Sequence, residues 1–518
     1  MKDFLTKILE YYDLDPSSYL DMIKEPSYES LKDSKFFDGI EDVALYLKQA
    51  IDEKKKILIY GDYDCDGIMA TSIIFNMLHE YKQYTPGFYI PNREIDGYGL
   101  NKANIDRFKK LNYDLIICVD NGITLVDEID YLNSLNMECI VIDHHTKEDI
   151  LPNAKFILHP IVSNFGKINL SAGGVSFYLS RVFLNRDDDY LATLGAISTL
   201  SDLMELKDYN RELVKIGLRN LNKNKYFNIV SLINSHSAIT ESDLSMNLIP
   251  KINAIGRIAL DNSLFNIVRY FTTDSKTQIL KRVEWINEIN LKRKDLINEA
   301  MLTVNVDDSM PSIIEKMDIK EGLCGLVANK FLEKYQKPTI IFVDSKKEDV
   351  LKGSIRSKPG FNVVKAFEEL KDFLLTSGGH AQAGGLSIKK DDFEKFKEKF
   401  NQIALQHEFI KEDKKTININ LTEVNLKNLE ILNSFRPFGM GFNKPIFEID
   451  SFNTSKFTFS RDHKHIITSL AFQSSLVYFN FDLAILTYKN VKLFGSLELN
   501  EFNGFSSAQF VVNSFEKN

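Results

Sequence analysis

ILIYGDYDCDG (57–67), LIICVDNG (115–122) and CIVIDHH (139–145) decide the fold. Each is a short apolar run that breaks off into aspartate. Continuous apolar runs, rather than alternating ones, belong to strands buried on both faces. Between them lie helical stretches such as IMATSIIFNMLHEY (68–81), and a further short run, FYI, at 88–90. Strands alternating with helices predict a mostly parallel α/β sheet. In such a sheet, ligands bind beyond the carboxyl ends of the strands. The aspartates therefore gather at one crevice.

Asp62, Asp64 and Asp66 stand at every second position after the first strand. On an extended chain they would share one face, where their charges repel and raise one another's pKa unless a divalent cation intervenes. Asp-x-Asp-x-Asp-Gly also opens an EF-hand loop, but position twelve of that loop requires Glu. Here it is Ile73, and a strand rather than a helix precedes the motif. A single strand-end Asp is usually a cap or a turn residue. Three such ends with paired histidines point to a metal site containing Asp62, Asp64, Asp66, Asp120 and His144, with Asp120 the candidate bridge. Carboxylates with imidazole suit Mn2+ or Mg2+, and two ions would polarise a phosphoryl group and activate water. Asp64, Asp120, His144 and His145 are the expected catalytic residues. His145 would contact substrate phosphate or orient the site, and Asp143 would hold a histidine tautomer from behind.

Outward from this core, residues 1–50 read as an N-terminal helical segment and 51–215 as the catalytic domain. Residues 216–300 read as helical, with one long connecting helix over 277–301. A second, smaller α/β domain spans 301–410, with strands at GLVA (325–328) and TIIFV (339–343) and glycine-rich turns at 353–360 and 378–385. After a charged linker, KEDKK (411–415), residues 411–518 alternate with period two. They predict a small antiparallel β-barrel with strands at 419–421, 446–449, 457–459 and 492–499 and a turn at Asn503-Gly504. There, Phe457, Phe459 and Tyr478 interleave with Lys456, Arg461 and Lys464, a composition suited to single strands.

The 518 residues are 44% hydrophobic and 26% charged, enough for several cores. The formal net charge of −8 argues against a generally basic nucleic-acid coat while allowing local basic grooves. Four scattered cysteines without a CxxC pair argue against a disulfide framework or zinc site and favour a reducing cytoplasm. No secretory h-region opens the chain and no apolar run is long enough for a membrane span.

GDYDCDG, VDNG (119–122) and IDHH (142–145) resemble the first three motifs of the DHH phosphoesterase superfamily. TLSDLMEL (199–206) resembles the fourth, which implies Asp202 as a further metal ligand. IPNREIDGYGLN (90–101), PKINAIGR (250–257), GSIRS (353–357), GGHAQAGG (378–385) and RPFGMGFNKPIF (436–447) resemble segments of the RecJ family in particular. Gly384 replaces a usual Ala, and Glu205 stands where Pro is common. The resemblance implies a DHH domain, a DHH-associated substrate-binding domain and an OB-like nucleic-acid-binding domain. It implies a 5′→3′ exonuclease of single-stranded DNA in repair and recombination, with Arg257, Arg356 and His380 joining His145 as phosphate contacts. Two Mn2+ or Mg2+ ions and a monomeric state are expected, and the likeness implies a single-strand-binding protein or helicase as partner. The alternative enzyme is a phosphodiesterase for short oligonucleotides or cyclic dinucleotides, for which the long C-terminal β domain would be superfluous. A scaffold without activity is disfavoured by the presence of every acid and histidine of the motifs.

Overall fold

The computed structural model describes residues 3–92, 95–166, 168–233, 238–258, 263–304, 306–406, 415–471, 473–502 and 504–517. Linker residues 411–414 and Asn503 of the expected turn lie outside the described residues. The chain forms two compact units. One is Ser27–Glu412, and the other joins Met1–Pro26 to Asp413–Asn518.

The first two helices, α1 (Phe4–Tyr11) and α2 (Pro16–Met22), belong to the second of these units. The larger unit begins before α3 (Ile40–Asp52) and continues into the sheet that carries the aspartates. Its elements are β1 (Ile57–Tyr60), α4 (Cys65–Glu80), β2 (Gly87–Tyr89), α5 (Lys102–Lys110), β3 (Leu115–Val119), α6 (Val126–Ser134), β4 (Glu138–Ile142) and β5 (Phe156–Leu158). The strands pair in the order β2-β1-β3-β4-β5, all parallel. Side chains alternate across the sheet. Leu58, Tyr60, Ile116, Cys118, Cys139 and Val141 therefore pack on one face with Ile105 and Phe108 of α5 and Ile129 and Leu132 of α6. On the other side, α4 contacts β1 and α7 (Ala172–Leu184) contacts β4. Next comes α8 (Asp189–Ser201), buried from Leu191 to Leu200 as befits a helix with almost no polar face.

Helices α9 (Asp208–Asn224), α10 (Phe227–Val230), α11 (Glu241–Asp243), α12 (Ile249–Ile258) and α13 (Ser263–Phe271) lead to the long helix α14 (Lys276–Thr303). Beyond it lies a second sheet built from β6 (Ile313–Lys316), β7 (Thr339–Asp344), β8 (Val350–Arg356), β9 (Leu374–His380) and β10 (Ala383–Lys389). The order is β6-β7-β8-β10-β9, parallel only between β6 and β7. Helices α15 (Cys324–Tyr335), α16 (Val363–Glu369) and α17 (Phe393–Gln406) cover it.

Two expectations fail here. GLVA (325–328) lies in α15, because Val327, Ala328, Phe331 and Leu332 recur with helical spacing and form its buried stripe. The stretches expected as glycine-rich turns are largely strand. Gly353 sits in β8 beneath the Phe342 ring, where a Cβ would come within 2.7 Å of that ring. The 378–385 segment is the β9–β10 hairpin, turning at residues 381–382.

The C-terminal unit contains β11 (Thr416–Asn418), α18 (Leu426–Asn433), β12 (Ile446–Asn453), β13 (Ile466–Ser469), β14 (Ser475–Tyr478), β15 (Asn490–Phe502) and β16 (Phe505–Lys517). Its six strands run in the order β11-β12-β15-β16-β14-β13. The β11–β12 and β14–β16 pairs are parallel, so the sheet is mixed rather than purely antiparallel. The expected strand at 419–421 gives way to a 3-10 turn starting at Leu421. Of 457–459, only Phe459 pairs, through one isolated bridge to Ile466.

The expected N-terminal segment 1–50 is divided, and the reason is apolar cover. Phe4, Ile8 and Leu9 form a stripe on α1 and join Leu429, Leu432, Phe447 and Phe510 in one core. Phe4 stacks on Phe447 with ring centroids 5.7 Å apart, and Tyr12 stacks on Phe442 at 4.2 Å. Phe4→Ala should therefore weaken the C-terminal unit by about 3–5 kcal/mol. In the full chain, amide hydrogen exchange in β12 and β15 should accelerate. Unchanged protection there would contradict the assignment of α1 to that core.

Candidate metal centre

The three strand ends are drawn together by the loops that follow them. Asp120 follows β3 with φ of 62°, a left-handed conformation that Asp tolerates better than most residues. Its N–H donates to the Ile142 carbonyl at 2.9 Å. Next to it, Asn121 is buried. Its Nδ2 donates to the Val119 carbonyl at 2.9 Å and to the Tyr60 and Gly61 carbonyls at 3.3 Å. That side chain ties the end of β3 to the end of β1.

The first motif does not stay extended. Only Asp62 precedes the turn. Asp64 caps α4, its Oδ1 accepting the Gly67 N–H at 3.1 Å, and Asp66 lies in the first helical turn. The three carboxylates are therefore split between two clusters instead of sharing one face. Ligand atoms of Asp62, Asp64 and Asp120 lie within 4.8 Å of one another, as do those of Asp66, His144 and Asp202. A third such group, Asp120 with His144 and His145, joins the two. His144 Nε2 lies 3.2 Å from Asp120 Oδ1 and 3.5 Å from both Asp66 Oδ2 and Asp202 Oδ2.

Burial and crowding set the electrostatics. Burial first, then the charges of Asp66, Asp64, Asp62 and Asp143, push the Asp120 carboxyl well above the usual carboxylate range. Burial and Asp66 raise Asp64. Asp202, at the C-terminal end of α8, is pushed up to about 8 by burial, Asp66 and Asp64. Burial lowers His144, leaving a neutral imidazole. Among the described residues, Asp120 Oδ1 and both ring nitrogens of His144 are buried without a hydrogen-bond partner. Orphaned polar atoms of this kind are costly, and a cation would satisfy the acceptors among them. Oxygen donors with one or two imidazoles fit Mn2+ or Mg2+.

Asp143 is organised differently. Its Oδ1 accepts the His144 N–H at 2.7 Å and His145 Nδ1 at 2.8 Å, and its Oδ2 accepts the Ile123 N–H at 2.9 Å. Burial would raise its pKa, but the His145 bond and charge bring it down to about 2. Burial likewise opposes charge on His145, yet Asp143 lifts it to about 9. His145 is thus a cation at neutral pH, half-exposed at the rim.

Several side chains of the site had no signal strong enough to be singled out in sequence. Asp66 Oδ1 accepts the Gly173 N–H at 2.9 Å and the Ser198 hydroxyl at 2.5 Å, while Oδ2 accepts the Ala172 N–H at 2.9 Å. The start of α7 therefore faces Asp66, a favourable end for an anion. Gly173 is required there, since a Cβ would lie 2.3 Å from Ser198 Oγ. The run Ser171-Ala-Gly-Gly174 was the available clue, a capping Ser followed by glycines at a helix start. Tyr98 donates to the Asp120 carbonyl at 3.3 Å and lies 3.4 Å from the His145 ring nitrogens. Buried His159 lies 2.8 Å from the His145 carbonyl through Nε2.

Of the expected phosphate contacts, His145 lies in the cluster with Asp120 and His144, and the other three lie outside the clusters. Arg257 is in helix α12 rather than a turn, and its charge lowers the pKa of Asp64. Arg356 ends β8 and His380 ends β9. Both are in register with Ala383 of β10, so they flank it on one face of the second sheet.

Three family descriptions match the chain in order. "DHH family, N-terminal domain" matches residues 56–204, "DHHA1 domain" 309–406 and "RecJ OB domain" 417–514. The chain belongs to the RecJ branch of the DHH family. The single-stranded-DNA-specific exonuclease RecJ of Bacillus subtilis is 28% identical over 506 residues, covering 93% of this chain and 64% of that protein. The chain thus spans just under two thirds of that relative's length. The Haemophilus influenzae RecJ is 26% identical over 524 residues, covering 92% of this chain and 90% of the relative. The structure of RecJ from Thermus thermophilus in complex with Mn2+ superposes with a TM-score of 0.82, at 22% identity, over 99% of this chain and 78% of that one. A second structure, exonuclease RecJ bound to manganese, gives 0.61 at 26% identity, covering 71% and 95%. Among the described residues no helix is long and apolar enough to cross a membrane.

The carboxylate crowding has a measurable sign. Folding raises the Asp202 pKa from about 4 to about 8, so in metal-free protein the folded state binds this proton more tightly. Its contribution turns against folding as pH rises between those values. Asp202→Asn should therefore raise the melting temperature of chelator-treated protein at pH 8, by about 2–4 °C, and change it little near pH 4. A lower melting temperature at pH 8 would contradict the crowding.

Proposed function

We propose that this chain is a metal-dependent exonuclease that hydrolyses the phosphodiester bonds of single-stranded DNA. The observation that carries this reading is the pair of clusters linked through Asp120 and His144, set in a chain whose relatives across 92–93% of its length are named single-stranded-DNA-specific exonucleases. Asp62, Asp64 and Asp120 are assigned to one ion. Asp66, His144 and Asp202 would hold a second, and Asp120, whose Oδ1 lies 3.2 Å from His144 Nε2, is placed to serve either. Divalent ions bound there supply neutralisation of the carboxylates, polarisation of the phosphoryl group and a lowered pKa for water.

The remaining work falls to the chain's own groups. His145, protonated at neutral pH and fixed by Asp143, donates to a non-bridging phosphate oxygen and offsets charge that builds up there. Ser198 and the α7 N–H groups hold Asp66 in one orientation. Arg257, Arg356 and His380 hold phosphates further along the strand. The C-terminal unit binds single-stranded DNA, stacking bases on exposed aromatics such as Phe459 near Lys456, Arg461 and Lys464.

With Mn2+, the chain should degrade a long single strand from one labelled end and leave blunt duplex intact. Asp64→Ala should lower the rate at least about a hundredfold, and Asp143→Asn about 10–100-fold. Faster cleavage of a dinucleotide than of the long strand would favour the small-substrate phosphodiesterase instead.

A further inference from the structure

Helix α12 touches the first motif on one side and the second domain on the other. Asn253 Oδ1 accepts the Cys65 N–H at 2.8 Å, between the metal-site candidates Asp64 and Asp66. Three residues on, and so on the same helical face, Gly256 abuts the Tyr63 carbonyl. A Cβ at Gly256 would fall 2.3 Å from that oxygen, so the approach is possible only without a side chain. Two residues of α12 thus hold the backbone of residues 63 and 65, from which the acidic side chains branch.

The next residue, Arg257, meets the second domain. A Cβ at Gly322 would come within 2.4 Å of the Arg257 carbonyl, and Arg257 Nη1 donates to the Gly322 carbonyl at 3.3 Å. Lys320 Nζ adds a bond to the Ile258 carbonyl at 2.7 Å. Both partners lie just before α15, in the second domain. A π-helical turn at Leu244–Leu248 runs directly into α12. Such a turn inserts one extra residue per turn and so rotates the helix downstream of it.

We infer that α12 is a relay, in which Asn253 and Gly256 position the loop of Asp62, Asp64 and Asp66, and the Arg257–Gly322 contact ties that position to the seat of the second domain. Asn253 and Gly256 act through the backbone of residues 63 and 65, so they are positioning residues. The inference rests on the metal-site reading above. Its use is coupling: the second domain, seated on a strand, and the loop that must hold the ions share one rigid element.

The test is calorimetric titration of Mn2+ into the full chain, without substrate. Asn253→Leu removes the acceptor at similar volume, while Asn253→Asp keeps it. Gly322→Ala perturbs α12 from the second domain alone. Asn253→Leu and Gly322→Ala should weaken Mn2+ binding about tenfold or more, and Asn253→Asp should stay within about threefold of wild type. Excess Mn2+ should restore kcat in Asn253→Leu with KM for the strand unchanged. Wild-type Mn2+ affinity in Asn253→Leu would overturn the positioning role. Wild-type affinity in Gly322→Ala would overturn the link to the second domain. A wild-type chain that binds no Mn2+ would instead sink the metal site itself.

Discussion

Repulsion among buried carboxylates is the constraint on which the rest of the larger unit depends. Asp62, Asp66, Asp120 and Asp143 are all nearly inaccessible to water, and Asp64 and Asp202 lie beside them. Burial pushes up the carboxyls of Asp64, Asp120 and Asp202, and neighbouring charges add to that. Asp143 is offset by His145 and three backbone N–H groups, and Asp66 is held by two N–H groups of α7 and the Ser198 hydroxyl. Asp64, Asp120 and Asp202 remain crowded. A fold that gathers so much uncompensated charge is stable as an apo-protein only at a cost, which divalent cations remove.

The surrounding structure keeps that charge from dispersing. Parallel strands deliver three loops to one edge of the sheet. Asn121 stitches two of those loops together, the start of α7 and Ser198 grip Asp66, and α12 holds the first motif from behind. Left-handed Asp120 shows the local strain that such convergence requires. None of these contacts involves reacting atoms. Together they hold the acidic groups in two clusters that Asp120 and His144 link.

Much of this was legible in the sequence. The parallel sheet followed from apolar runs at 57–60, 115–119 and 139–142, because strands buried on both faces need no alternation. The six residues Asp62, Asp64, Asp66, Asp120, His144 and Asp202 come together in space as the strand-end argument and the family motifs required. What stayed hidden was local geometry. A period-two spacing cannot reveal that a helix begins at Cys65, which rotates Asp66 away from Asp62. GLVA was misread because four apolar or small residues fit either element. Glycines at 353 and 378–385 mark close packing and a hairpin edge rather than loops. The union of α1 with the C-terminal core is a contact across some four hundred residues, for which periodicity carries no information.

The central claim is that two ions share this site through Asp120. Mn2+ is paramagnetic, so binding stoichiometry and spin coupling report it directly. Titrated with Mn2+, the full chain should bind two ions, and its electron paramagnetic resonance spectrum should show exchange coupling between ions about 3.5–4 Å apart, abolished in Asp120→Asn. A single uncoupled ion at saturation, or a coupled pair that survives Asp120→Asn, would contradict the account.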